Sequence, residues 1–119
     1  MMKTIPLVLL MACAFLLGCD KDATAIQSID PSYVCMPQNK VFDRKMLSVN
    51  IAGKTYYGCC ENCIELLQNE TEKYAYALDP ITGEKVDKAK AFILEMRGNA
   101  IYFASEENAR KFSEKYGLM

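Results

Sequence analysis

The chain of 119 residues contains no histidine. That absence removes Ser–His–Asp nucleophilic sites and every imidazole metal ligand. A surplus of positive charge is also missing. Fourteen basic residues face fifteen acidic ones, mixed along the chain, without the basic stripe that nucleic-acid binding requires. No glycine-rich phosphate loop occurs. The carboxylates fall in turns or on faces expected to meet solvent, so no catalytic site and no enzymatic activity are expected. Long apolar runs are absent too: the best candidate, Leu7–Leu17 (LVLLMACAFLL), is too short to settle across a bilayer as a helix. No cysteine follows residue 63. What the chain does have is sulfur. Of its six cysteines, three are crowded into the stretch GCCENCI at 58–64.

The apolar run, preceded by Lys3, has the form of a secretory signal and ends in Leu16-Leu17-Gly18-Cys19. This ending resembles the lipobox of bacterial lipoproteins. The resemblance implies a signal peptide over 1–18, cleavage before Cys19, loss of Cys13 with the leader, and diacylation of the Cys19 sulfur. Asp20 is similar to the inner-membrane retention signal of enteric bacteria. The expected location is therefore the bacterial cell envelope, on the inner membrane, with the domain facing the periplasm. Without Lys3 the chain keeps 13 basic and 15 acidic residues, a net charge of −2. Two or more acyl chains, at roughly 0.8 kcal/mol per buried CH₂, hold such a protein on the membrane essentially permanently. Residues 19–32, polar apart from scattered small and apolar positions, read as the lipidated cysteine and a tether.

Outside the cytoplasm thiols tend to be oxidised. Cys35, Cys59, Cys60 and Cys63 remain, and four cysteines allow three disulfide pairings. One of these joins the neighbours Cys59 and Cys60, which is strained.

An offset of 45 residues aligns two parts of the chain: Val41 with Val86, Leu47 with Phe92, Val49 with Leu94, Ile51 with Met96, Gly53 with Gly98, Tyr57 with Tyr102, Glu61 with Glu106 and Leu67 with Phe112. In each copy an alternating run predicts a half-buried strand, a glycine-containing turn follows, and a second strand returns. A helix comes next. In the second copy it is capped by Ser105, carries acids in its first turn, shows an Ala109, Phe112 and Tyr116 face, and stops at Gly117. In the first it should run from about Cys60 to Gln68, with Cys63, Leu66 and Leu67 inward. The expected fold class is α+β, with two hairpin-plus-helix repeats over 33–70 and 74–117.

This arrangement places Cys59 at the end of a strand and Cys63 in the first helical turn. The hairpin returns its end beside its beginning, near Cys35, so three sulfurs can converge. A helix N-terminus favours the thiolate that metals bind. Cys60 and Met36 are additional candidate donors, and each has an ordinary role open to it, as a helix cap and as a core filler. Soft sulfur selects Cu(I) or Zn(II). Cu(I) suits three sulfurs, whereas zinc prefers four.

The pattern C35-x23-C59-x3-C63, with V34-C35-M36 and Y56-Y57-G58-C59-C60-E61-N62-C63, resembles the TRASH and YHS families of small, treble-clef-like metal-binding domains. The second copy is similar but carries Ala104 and Asn108 where the two cysteines would stand, so it is expected to be a structural partner. Asp79–Asp87, Ala104–Phe112 and Tyr116-Gly117 are similar to the C-terminal half of the copper-chaperone lipoproteins that assist nitrous-oxide reductase. Those bind Cu(I) through a Cys-Gly-Met segment, whereas this chain has Cys35-Met36 without the glycine. Together the resemblances imply an anchored lipoprotein that carries or sequesters a soft metal ion, Cu(I) first and Zn(II) second. Its partners would be the membrane, through Cys19, and a copper-requiring envelope enzyme or metal transporter. Two other readings stand beside it: a zinc- or disulfide-stapled interaction domain, and a thiol redox protein using C60-x2-C63.

Overall fold

A computed structural model describes residues 26–117. The expected signal peptide, with Cys13, and the lipobox-like ending at Cys19 lie outside the described residues. In chain order the elements are β1 (Val34–Cys35), β2 (Lys40–Val41), β3 (Leu47–Ile51), β4 (Lys54–Gly58), α1 (Glu61–Asn69), α2 (Thr71–Tyr74), β5 (Tyr76–Leu78), β6 (Lys85–Asp87), β7 (Phe92–Met96), β8 (Asn99–Phe103) and α3 (Glu106–Tyr116). The architecture is α+β. No described helix is long and apolar enough to cross a membrane.

The order is short hairpin, long hairpin, helix, and it occurs twice. The long hairpins repeat residue for residue: Leu47 pairs with Gly58, and 45 positions on Phe92 pairs with Phe103. Their turns match as well. Ala52 and Gly53 have φ of 53° and 81°, and Arg97 and Gly98 have 55° and 83°. Two successive left-handed residues give the turn twist that suits a two-residue hairpin loop.

The short hairpins repeat at a different spacing. Cys35 pairs with Lys40, and Asp79 N donates to Glu84 O, a shift of 44. The left-handed residues Asn39 and Gly83 are likewise 44 apart. The link from short to long hairpin is one residue longer in the second copy. Val41 thus corresponds to Lys85, not Val86, and Cys35 corresponds to Asp79.

Strand pairing joins the two copies. One sheet has the order β1-β2-β8-β7, so the first short hairpin adds to the second long hairpin. The joint is Lys40 opposite Asn99, with Val41 N to Gly98 O at 2.9 Å and Ala100 N to Asn39 O at 2.8 Å. The main core draws on both copies: Val34, Met36, Tyr56 and Leu67 from the first meet Ala75, Ile93, Ala100 and Tyr102. Asp87 ties them further, forming an ion pair with Lys54 and accepting from the Tyr56 hydroxyl at 2.9 Å.

The tether expected over 19–32 is not free at its C-terminal end. Ile29 N donates to Ile93 O at 2.8 Å, and Ile26 and Ile29 pack on the two apolar clusters. β7 is the outer strand of its sheet, and this segment covers its open edge.

Helix α3 differs from expectation at one position. Ala109, Phe112 and Ser113 are buried, while Tyr116 remains half exposed, with its ring 4.5 Å from that of Phe112. Tyr116 lies in the last turn, where the sheet beneath has ended.

Candidate metal centre

The first copy brings three of its four thiols together at one junction. Cys35 comes from the short hairpin, Cys59 follows β4, and Cys63 lies in the first turn of α1. Their sulfurs all fall within 4.8 Å of one another. Cys35 Sγ lies 3.6 Å from Cys63 Sγ, and Cys59 Sγ 3.7 Å from Cys63 Sγ. All are free thiols. A tetrahedral ion with metal–sulfur bonds of about 2.3 Å sets its sulfurs ~3.8 Å apart, so the observed spacing fits one ion held by three sulfurs.

Local features produce this convergence. Cys59 N donates to Cys35 Sγ at 3.4 Å, which pins the strand end to the short hairpin. Met36 N donates to Tyr57 O at 2.9 Å, fixing the hairpin against β4. Gly58 permits the close approach of the helix: a Cβ there would lie 2.8 Å from Cys63 Cβ. Any larger residue would push the first turn of α1, and Cys63 with it, away from Cys35.

Burial sets the protonation of these thiols. Desolvation, followed by the contacts with Cys35 and Cys59, pushes the Cys63 thiol up to about 12. Burial also raises the Cys59 thiol. Both are neutral near pH 7 before metal arrives, so binding must release protons. Cys60 behaves oppositely. It is exposed and forms no side-chain cap bond, yet the Cys63 N–H beyond it favours the thiolate and lowers its pKa.

The other sequence candidates fall elsewhere. Cys60 is outside the three-sulfur cluster, its sulfur 3.9 Å from that of Cys59. Met36 is fully buried in the main core with Val34 and Tyr56. Neighbours on a strand point to opposite faces, so a chain that aims Cys35 at the junction aims Met36 at the core. A different methionine, Met46, packs with Cys35 and Cys63, flanked by Phe42 and Tyr57.

Two more residues complete the surroundings. Gln38 Nε2 lies 3.7 Å from Cys59 Sγ and 3.9 Å from Cys63 Sγ. Lys88, reaching from the second copy, donates to Met36 O and Asn39 Oδ1, both at 2.8 Å. Burial lowers the Lys88 ammonium to about 8, opposed by the charge of a Cys35 thiolate. Neither Gln38 nor Lys88 has a sequence signature. Both reach the centre only through tertiary packing.

The same junction in the second copy is closed without sulfur. Asp79, 1% exposed, stands in the place of Cys35. Its Oδ2 accepts from Ala104 N at 2.8 Å and from Asn108 Nδ2 at 2.9 Å, while Oδ1 accepts from Ile81 N at 2.7 Å and Thr82 N at 3.2 Å. Ala104 and Asn108 correspond to Cys59 and Cys63. Burial alone would raise the Asp79 pKa, but these donors outweigh it and hold the carboxyl below its ordinary range. Asp79 would have been found from the sequence by shifting the alignment one residue within the short hairpin.

Comparison with known proteins returns no matching family model, no matching curated protein and no matching solved structure. The chemistry of the donor set is therefore the main guide to function.

Proposed function

We propose that this protein binds one soft metal ion, Cu(I) in the first place, through Cys35, Cys59 and Cys63, and carries or sequesters it in the bacterial cell envelope. The observation that carries the reading is the donor set: three sulfurs within 4.8 Å, joined by no carboxylate or imidazole. Three thiolates without a hard ligand suit a low-coordinate soft ion better than Zn(II), which closes a tetrahedron. Among the described residues Cys60 is the only other thiol, and it is exposed beside Cys59 instead of completing a fourfold site. The likeness of C35-x23-C59-x3-C63 to TRASH and YHS domains supports the same reading. So does the lipobox-like ending at Cys19, which would hold the ion carrier at the inner membrane within reach of a copper-requiring enzyme or transporter.

The metal is cargo in this proposal. The chain contributes a preformed sulfur junction and a buried environment that keeps water from competing. The buried Lys88 ammonium offsets part of the negative charge of a metal–trithiolate group. The test is anaerobic titration of the full-length protein, extracted in detergent, with Cu(I) and with Zn(II). One equivalent of Cu(I) should bind more tightly than Zn(II), and Cys35→Ser or Cys63→Ser should weaken it by at least about tenfold. Tight Zn(II) retention with no Cu(I) uptake would favour a zinc-stapled interaction domain instead.

A further inference from the structure

Four neighbouring sulfurs are graded in burial from solvent to interior. Cys60 is exposed, Cys59 half-buried, and Cys63 and Cys35 buried. The steps are 3.9 Å from Cys60 to Cys59, 3.7 Å from Cys59 to Cys63, and 3.6 Å from Cys63 to Cys35. Direct approach to the inner pair is limited by burial, with Cys35 0% and Cys63 4% exposed, and Met46 packs with both. Cys60 is a weaker cap for its helix than its counterpart in the other copy. It occupies the N-cap with φ −158° and ψ 173° but makes no side-chain cap bond, whereas Ser105 has φ −155° and ψ 163° and accepts from Asn108 N. The same backbone position thus carries a hydrogen-bonded serine cap in one copy and an exposed thiol in the other.

We propose that Cys60 is the receiving thiol of the centre, where a thiophilic cation first lands before passing through Cys59 to Cys63 and Cys35. The inference rests on reading the cysteine cluster as a soft-metal site. The step is ligand exchange, and no electron moves. A Cys60 sulfur–metal bond forms as a donor's metal–ligand bond breaks, and any thiol proton on Cys60 goes to solvent. The ion then bonds to Cys59, Cys63 and Cys35, each releasing its thiol proton, while the Cys60–metal bond breaks and that sulfur is free to take a proton back. With sulfurs under 4 Å apart, the ion can bridge each pair and never loses its soft ligands. Release to an acceptor follows the same order outward.

The experiment uses the full-length protein in detergent without oxygen, with Cu(I) supplied as its bicinchoninate complex. Loss of the complex's colour gives the rate of uptake, and equilibrium competition gives stoichiometry and affinity. Cys60→Ser installs the residue that the other copy carries at Ser105, so the helix start is preserved. Circular dichroism checks this. Without the first intramolecular partner, uptake should slow on the order of tenfold, with stoichiometry and affinity unchanged. An unchanged rate would overturn the proposal. So would a loss of stoichiometry or affinity, because Cys60 would then be a ligand of the resting centre. Absence of Cu(I) uptake by the unsubstituted protein would instead sink the metal reading itself, and the inference with it.

Discussion

The two copies follow the same path but close the same junction by different means. In the second, short hairpin, strand end and helix start are joined by the Asp79 carboxylate, the Ala104 N–H and the Asn108 amide. In the first, the corresponding places hold Cys35, Cys59 and Cys63, linked only by weak contacts of 3.4 to 3.7 Å to or between sulfurs. Their local cores differ in the same sense. Phe103, Phe112, Ala109 and Leu94 pack together in the second copy, with the two phenylalanine rings edge to face at 5.2 Å. The place of Phe103 is taken in the first by Gly58, and the small cluster there is Cys35, Met46 and Cys63. One junction is held by groups that are always present. The other is held at these positions by weak sulfur contacts, which a metal ion bound there as proposed would replace with stronger bonds. The second copy therefore acts as scaffold, lending the first a shared sheet, a shared core and Lys88.

The comparison can be broken most severely by making the copies alike. Asp79→Cys combined with Ala104→Cys and Asn108→Cys should create a second three-sulfur junction. Metal stoichiometry should then rise from one equivalent to two by anaerobic titration. An unchanged stoichiometry would show that more than these three positions separates the copies.

Removing the scaffold's hub should come next in size. Asp79→Ala strands the N–H groups of Ile81, Thr82 and Ala104 and should cost about 3 kcal/mol or more in urea unfolding, with or without metal. Because the folded pKa of Asp79 is depressed, its contribution is fully present above the ordinary carboxylate pKa, near pH 4, and is lost as pH falls below that. The acid-induced loss of stability should accordingly be smaller in Asp79→Asn.

Gly58→Ala drives a methyl group against Cys63 and should cost about 1–3 kcal/mol through overpacking. Metal affinity should fall in the same variant, because Cys63 is displaced from Cys35. Smallest is Cys60→Ser, which should raise apo stability by roughly 0.5–1 kcal/mol by restoring a cap like that of Ser105. Thermal unfolding without metal would show it. No gain would mean that the cap geometry at Cys60 is not equivalent.

Much of this comparison was legible before any coordinates. The 45-residue offset follows from alternating strands and glycine turns, which are local and leave a period in the sequence. Ser105 and Gly117 mark the ends of α3 through their own backbone preferences. The one-residue slip in the short hairpin was hidden, because strands of two or three residues carry too little pattern to fix their register. That slip concealed Asp79 as the counterpart of Cys35. The pairing of β2 with β8 was hidden as well, since it depends on Lys40 meeting Asn99 across the copies, with Val41 N donating to Gly98 O and Ala100 N to Asn39 O.

By itself the sequence determined the element types, the repeat and the donor chemistry. With no histidine, and with four thiols at 35, 59, 60 and 63, any soft-metal centre there had to be built of sulfur. Only the tertiary structure decided which thiols meet. It drew Cys35, Cys59 and Cys63 into one junction and left Cys60 facing solvent. It also sent Met36 to the core and brought Met46 and Lys88 to the centre. The reason is physical. Spacing along a chain constrains only neighbours on one element, whereas a metal centre is assembled where three elements cross, and the packing of both copies sets that crossing.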